Sequence, residues 1–506
     1  MKKGFGKKPI GFNMILRVLG HGFHYEGENL CRVFFPHEKI TVTKNGEGED
    51  SLTVITFMSE ENGKADIEVS VVSDGEKSER RCTAVRKHES DEEWRALCEK
   101  KMMTELFYLL SEYTGYTPKW GILTGVRPSK LMTSLINTMG GDRAKEYFEK
   151  DLLVQKDKTE LAFSVSKAEE KIISLSAPES FSLYVSIPFC PTRCSYCSFV
   201  SHSIEHAGKL IPEYVENLCT ELEYTAQKAK KLNLRLESIY WGGGTPTTLS
   251  AEQIEKICAV IEKNFDLSHL REYTVEAGRP DTVTAEKLAA LKSAGITRLS
   301  INPQTFNDSV LENIGRRHTS KQTLDAFKAA RDAGFDNINT DLIAGLTSDT
   351  FDSFCHTLDT VLSLSPENIT LHTLALKRSS RLVTGKMDIE SGALADKMLR
   401  QANSRFIENE YEPYYMYRQS RSLGNLENVG WCKEGHECLY NVFMMEECHT
   451  VLAAGAGAVT KLKEYGVNNI QRIFNFKYPY EYNTRFGEIL ERKERITSFY
   501  DEFDHR

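Results

Sequence analysis

The sequence carries no excess of positive charge, no long apolar run, no internal repeat and no low-complexity tract. A formal net charge of -8 and a pI near 6.0 give no global attraction to nucleic acid or anionic membrane. An anionic substrate would therefore need a local basic pocket, and no nucleic-acid partner is expected. The opening MKKGFGKKPIGFNMILRVLG begins with lysines but lacks the unbroken apolar segment and small-residue cleavage site of a signal peptide. No later stretch approaches the apolar length of a membrane span. A cytoplasmic protein is the expectation. Twelve cysteines in 506 residues do not make a disulfide framework there, because a reducing compartment keeps thiols free.

At this length two or three domains are expected. SLTVITF near 51 and ADIEVSVVS near 65 alternate like antiparallel strands around the turn-forming Glu61-Asn62-Gly63. A helix should follow from 91, with acidic residues in its first turn, and further helices over 128–139, 142–153 and 157–175. The polar stretch 176–180 is a candidate linker. Beyond it, six β-rich runs alternate with amphipathic helical stretches: FSLYVSI (181), ESIYWGG (237), EYTVEA (272), TRLSIN (297), NINTDLI (337) and NITLHTL (368). Strands each followed by a helix argue a parallel sheet, open or curled into a partial barrel. Chemistry in such folds gathers at the carboxyl ends of the strands. The most reactive residue types do fall there: a cysteine triplet after the first run, Gly242-Gly243-Gly244-Thr245 after the second, then Glu276, Gln304 and Asp341.

Cys190, Cys194 and Cys197 place three thiols within eight residues, and Pro188 and Pro191 keep the segment out of helix. Three thiolates on an iron–sulfur cubane leave one iron open to an external ligand. Zinc held with His202 is the alternative, although the spacing lacks the paired C-x-x-C of most zinc modules. A redox dithiol of Cys194 and Cys197 would leave Cys190 unexplained.

The C-x-x-x-C-x-x-C motif resembles the radical S-adenosylmethionine (SAM) signature. Tyr184-Val185-Ser186-Ile187-Pro188-Phe189-Cys190, WGGGTPTTL (241–249), NPQTFNDSVLENIGRRHT (302–319) and TDLIAGL (340–346) resemble the oxygen-independent coproporphyrinogen III oxidase family. HTLALKRSSRL (372–382), GNLENVGW (424–431) and LAAGAGAVTKL (452–462) are similar to its HemZ branch. The resemblance implies an α/β fold: a partial (β/α)6 TIM-like barrel over 181–375, an extra N-terminal α+β domain over 1–175, and a C-terminal α/β extension over 376–506 on the substrate side. It also implies a [4Fe–4S] cluster on Cys190, Cys194 and Cys197, and one or two molecules of SAM. By the same resemblance Tyr196 packs near the adenine. Gly243, Gly244 and Thr245 meet the SAM amino group through backbone, Glu276 accepts from ribose hydroxyls, and Ala375 joins the cofactor contacts. A second SAM would touch Tyr184, Gln304, Arg316 and Asp341, the residues nearest the reaction.

The activity that this resemblance implies is oxidative decarboxylation of coproporphyrinogen III to protoporphyrinogen IX. A 5′-deoxyadenosyl radical takes hydrogen from a propionate, and a donor such as flavodoxin or ferredoxin supplies electrons. Lys377, Arg378 and Arg418 are candidates to grip the carboxylates of the tetrapyrrole. One departure bears on this. The well-characterised oxidases carry a fourth cysteine where this chain has Phe199, and a heme-chaperone branch also has phenylalanine there. Heme binding, with His372, His436 or His449 as axial ligand, is therefore the rival, followed by radical chemistry on another tetrapyrrole or a methyl acceptor. Cys432, Cys438 and Cys448 are spaced irregularly, as ordinary thiols are, rather than as a second metal site.

Overall fold

The computed structural model describes residues 13–36, 38–44, 52–197, 201–375 and 389–503. The chain forms two compact units. One comprises 1–163 with 384–393 and 418–427; the other comprises 164–383 with 394–417 and 428–506.

The first unit carries a five-stranded sheet of β1 (Asn13–Leu19), β2 (Lys39–Thr43), β3 (Leu52–Glu61), β4 (Lys64–Ser73) and β5 (Glu76–Val85), in the order β2-β1-β3-β4-β5. β3 and β4 are antiparallel, with Glu61 opposite Lys64. Asn62 and Gly63, both at positive φ, make the two-residue turn whose twist suits a hairpin. β1 runs parallel to both β2 and β3. The helix Asp91–Thr114 packs on this sheet. It starts at Ser90, which forms a reciprocal capping box with Glu93, and stops at Gly115 in the left-handed conformation.

In the second unit the six β-rich runs are the strands β6 (Ser180–Ile187), β9 (Arg235–Gly243), β10 (Glu272–Glu276), β11 (Arg298–Ser300), β12 (Ile338–Ala344) and β13 (Asn368–Thr373). Between them, two-residue strands β7 (Phe189–Cys190) and β8 (His202–Ser203) pair with each other. The six long strands lie side by side in chain order and all parallel. β6 is buried along nearly its whole length, and the buried Ser180, Ser182 and Ser186 are interspersed with its apolar residues. Helices Ile211–Lys231, Ala251–Asn264, Ala285–Ser293, Ser320–Asp332 and Phe351–Leu364 connect successive strands. The first and sixth strands do not pair with each other, so the barrel is partial.

The tail extends the sheet at both ends. β14 (Glu412–Arg418) and β15 (Glu427–Cys432) add beyond β13, which β15 meets antiparallel. β16 (Thr450–Ala454) runs parallel to β6, and β17 (Val459–Lys463) and β18 (Ile470–Phe474) follow antiparallel. A buried carboxylate ties this edge to the core. Glu221 accepts from Tyr482 Oη (2.6 Å), Asn475 Nδ2 (2.7 Å) and the Gly455 amide (2.8 Å), and pairs with Lys493 Nζ at 3.0 Å. The ion pair avoids the cost of a lone buried charge because all four donors converge on it. Among the described residues no helix is long and apolar enough to cross a membrane.

Candidate functional site

The cysteine loop leaves the end of β6 and is pinned at both ends by the β7–β8 pairing, Phe189 opposite His202 and Cys190 opposite Ser203. It is also tied to the end of β9. The Gly244 amide donates to Ile187 O (2.8 Å), and the Thr245 amide donates to Phe189 O (2.7 Å). Thr245 Oγ1 donates to Cys190 Sγ at 3.5 Å. A Cβ on Gly244 would fall 2.6 Å from Phe189 O, so only glycine lets the two backbones meet. An ammonium group only donates, so backbone carbonyl oxygens are what can meet it here, and Thr245 O already accepts from the Thr248 amide. Burial pushes the Cys190 thiol up, with Thr245 and Ser201 opposing.

Behind the loop stands a wall of aromatic and acidic groups. Tyr184 on β6 is the register partner of Tyr240 on β9, and both stack with Tyr440, at centroid distances of 5.9 and 4.5 Å. Tyr240 Oη donates to Glu276 Oε1 at 2.6 Å. Gly242 lies beneath, where a Cβ would come 3.2 Å from Tyr184 Oη and 3.3 Å from the Glu276 carboxyl carbon. Burial raises the Glu276 carboxyl to about 7; the Tyr240 bond lowers it and the nearby Asp341 raises it further. This is a carboxylate poised to gain or lose a proton near neutrality.

Gln304, at φ +70°, sits beside β12: its amide donates to Asp341 O (3.0 Å) and its carbonyl accepts from the Ile343 amide (3.1 Å). Asn339 Nδ2 donates to Asp341 Oδ1 (2.8 Å), and His372 Nε2 lies 3.7 Å from Asp341 Oδ2. Arg316 is turned elsewhere. Its Nη2 donates to Gly278 O (2.7 Å) and Asn302 O (2.6 Å), and its Nη1 donates to Tyr196 Oη (3.1 Å) and lies 4.0 Å from Cys194 Sγ. Tyr184, Gln304 and Asp341 thus share the strand-end region with Glu276, whereas Arg316 belongs to the cysteine loop.

Other expected residues lie apart from this site. Arg418 is buried in the N-terminal unit, donating to Leu123 O (2.5 Å) and Gly125 O (3.2 Å) with its guanidinium over the Trp120 ring. Arg418, expected as a substrate contact, thus spends Nη1 on that unit's own backbone. Lys377, Arg378 and Phe199 lie outside the described residues, and Ala375 is the last described residue after β13. His449 is buried with both ring nitrogens bonded, to Ser176 (3.0 Å) and Ser182 (2.8 Å), so it has no lone pair left for iron. His436 Nδ1 is buried without a hydrogen bond, and its backbone carbonyl accepts from Arg298 at 3.0 Å. Cys432, Cys438 and Cys448 are held protonated by burial.

Four residues of the site escape sequence reasoning. Tyr240 had a signal, since two residues before Gly242 on a strand means the same face. Arg279, three residues past Glu276, donates to Thr192 Oγ1 (2.9 Å) and Thr192 O (3.2 Å) of the cysteine loop. His318 lies two residues past Arg316, buried with neither ring nitrogen hydrogen-bonded, and burial beside Arg316 and Arg279 drives it down to about 2. Tyr440 had no local signal at all.

Residues 184–361 match the radical SAM superfamily. The chain is 37% identical over 391 residues to the oxygen-independent coproporphyrinogen-III oxidase-like protein HemZ of Bacillus subtilis (strain 168), covering 76% of this chain and 78% of that one. It is 41% identical over 197 residues to the heme chaperone HemW of the same organism, 39% of this chain and 51% of that one. Coproporphyrinogen III oxidase (HemN) from Escherichia coli has a similar structure, with TM-score 0.50 and 22% identity over 64% of this chain and 72% of that one.

The superfamily's [4Fe–4S] cluster and SAM can be tested against the residues present. Among the described residues no three ligating side chains converge as around a single metal ion. A cubane spreads its thiolates over separate irons and so holds them farther apart than one ion does. Donors at Cys190 and Cys194, and the glycine cradle under the loop, fit a cluster of negative charge. With this sequence match, fold and thiol set, the chain belongs to the oxygen-independent coproporphyrinogen III oxidase-like family of radical SAM proteins, which use a [4Fe–4S] cluster and SAM.

Proposed function

We propose that this protein decarboxylates coproporphyrinogen III to protoporphyrinogen IX without oxygen. One observation carries the reading. The match to the HemZ protein runs over 391 residues, far beyond the superfamily domain at 184–361, whereas the match to the same organism's HemW covers 197. The longer match is thus to a protein named oxygen-independent coproporphyrinogen-III oxidase-like.

Cys190, Cys194 and Cys197 hold the cluster, leaving one iron for SAM. When bound, the pair supplies a 5′-deoxyadenosyl radical able to take hydrogen from an unactivated carbon. The chain's own residues bind and orient. Glu276, aimed by Tyr240, accepts from ribose hydroxyls. The stacked Tyr184, Tyr240 and Tyr440 form a rigid aromatic wall that keeps water from the strand ends. Gln304 and Asp341 position the reacting group, and Lys377 and Arg378 take the substrate's carboxylates. No side chain needs to act as general base for hydrogen abstraction. A low-potential flavodoxin or ferredoxin supplies the electron.

The rival reading, heme binding, is supported by the HemW identity, with His372 beside the strand-end site as its candidate ligand, since His449 is fully bonded. Anaerobic reconstitution with SAM, reductant and coproporphyrinogen III, followed by mass spectrometry, separates the two. Vinyl-bearing products with 5′-deoxyadenosine, both lost in Cys194→Ala, support the oxidase. A tight heme complex lost in His372→Ala, with no decarboxylated product, overturns it.

A further inference from the structure

The segment Ile314–Arg316 runs along the cysteine loop and holds it at several points. The Ser195 amide donates to Ile314 O (2.9 Å), Ser195 Oγ donates to the same oxygen (3.2 Å), and Thr192 Oγ1 donates to Gly315 O (3.1 Å). Gly315 turns at φ +77°, and a Cβ there would lie 3.4 Å from Arg193 O. The Arg316 side chain completes this contact. Gly278 O and Asn302 O fix one end of its guanidinium plane, and the other end meets Tyr196 Oη and Cys194 Sγ. It is only 6% exposed, and among the described residues no carboxylate pairs with it. Its neighbour Arg279 is different, because Asp281 stands 3.2 Å from its Nε, whereas Asp281 acts on Arg316 only at longer range.

We propose that Arg316 is a positioning residue that sets the reduction potential of the cluster, its fixed and unpaired positive charge beside the Cys194 sulfur favouring the reduced form. Reduction adds one electron, and so one negative charge, to a cluster already ligated by thiolates. Charge and hydrogen bonds at the ligand sulfurs are what set such potentials. Buried and caged by two carbonyls, the guanidinium cannot swing away to lower the effect. The neutral His318 adds no competing charge. This role rests on the cluster alone and stands whichever substrate the enzyme takes. It also differs from a contact with SAM, which would require SAM to be present.

The test is an EPR-monitored redox titration of the full-length, cluster-loaded protein without SAM, with iron and sulfide content measured in each variant. Arg316→Gln should lower the midpoint potential, changing the reduced-to-oxidised ratio at a fixed potential about tenfold, ~59 mV for one electron. Arg316→Lys, which keeps the charge, should retain most of the wild-type potential. A Gln variant at the wild-type midpoint, or a Lys variant shifted as far as Gln, overturns the proposal. Should Arg316→Gln fail to assemble a cluster, Tyr196→Phe decides. It frees Nη1 to donate to Cys194 alone and should raise the midpoint; an unchanged midpoint there refutes the role.

Discussion

Glu276→Gln offers a test of the site's electrostatics in which stability and binding move in opposite directions. Glu276 is displaced from 4.5 to about 7, chiefly by burial, with Asp341 adding to the shift and the Tyr240 hydrogen bond opposing it. Between those values the folded protein holds a proton that the unfolded chain has released, so raising pH through this window favours unfolding. At about 1.4 kcal/mol per pH unit, the ionised side chain costs the fold at most about 3 kcal/mol above pH 7. The partial exposure of Glu276 lowers that ceiling. Glutamine keeps an oxygen for Tyr240 and carries no charge. The variant should therefore melt close to wild type at pH 5 and several degrees higher at pH 8, read by thermal unfolding without SAM. SAM binding should weaken in the same variant by about tenfold, the value of a hydrogen bond to a charged acceptor. Wild-type affinity should fall as pH drops below about 7. A thermal difference independent of pH would refute the assignment of Glu276 as an ionisable group strained by burial.

Gly244→Ala should lose most reconstituted iron and cost about 1–3 kcal/mol of stability, since its Cβ would strike Phe189 O at 2.6 Å; iron analysis and thermal unfolding check both. Lys493→Met leaves Glu221 charged and buried, and should destabilise the second unit by about 3–5 kcal/mol; the double variant with Glu221→Gln should recover much of that in denaturant melts. Cys194→Ala should abolish cluster loading, whereas Cys432→Ser, Cys438→Ser and Cys448→Ser should each retain full iron content. A loss of iron in any of these serine variants would point to a second metal site.

The elements that depend on short-range pattern were legible from the residues alone. Each of the six β-rich runs shows its own local periodicity, and the order of those runs is the order of strands in the sheet. Cys190, Cys194 and Cys197 are close in the chain, so no tertiary contact is needed to recognise them as one donor set. The Gly242–Thr245 turn was equally plain, because the carboxyl end of a parallel strand is where such a turn must sit. Partnership across the fold was not legible. Whether Arg316 faces a ligand or the cysteine loop depends on Gly278 and Asn302, which arrive from two other strand ends. Arg418 reads as an available cation until Leu123 and Gly125, nearly three hundred residues earlier, claim its donors. Tyr440 carries no local mark of its role, since stacking on Tyr184 and Tyr240 is created only when the tail folds back on the core. Local sequence determined the strands, the turns and the candidate cluster ligands, because these rest on backbone geometry and spacing. Only the tertiary structure decided which charged and aromatic groups are spent on the protein itself and which remain for chemistry, because burial and hydrogen bonding are set by neighbours far away in the chain.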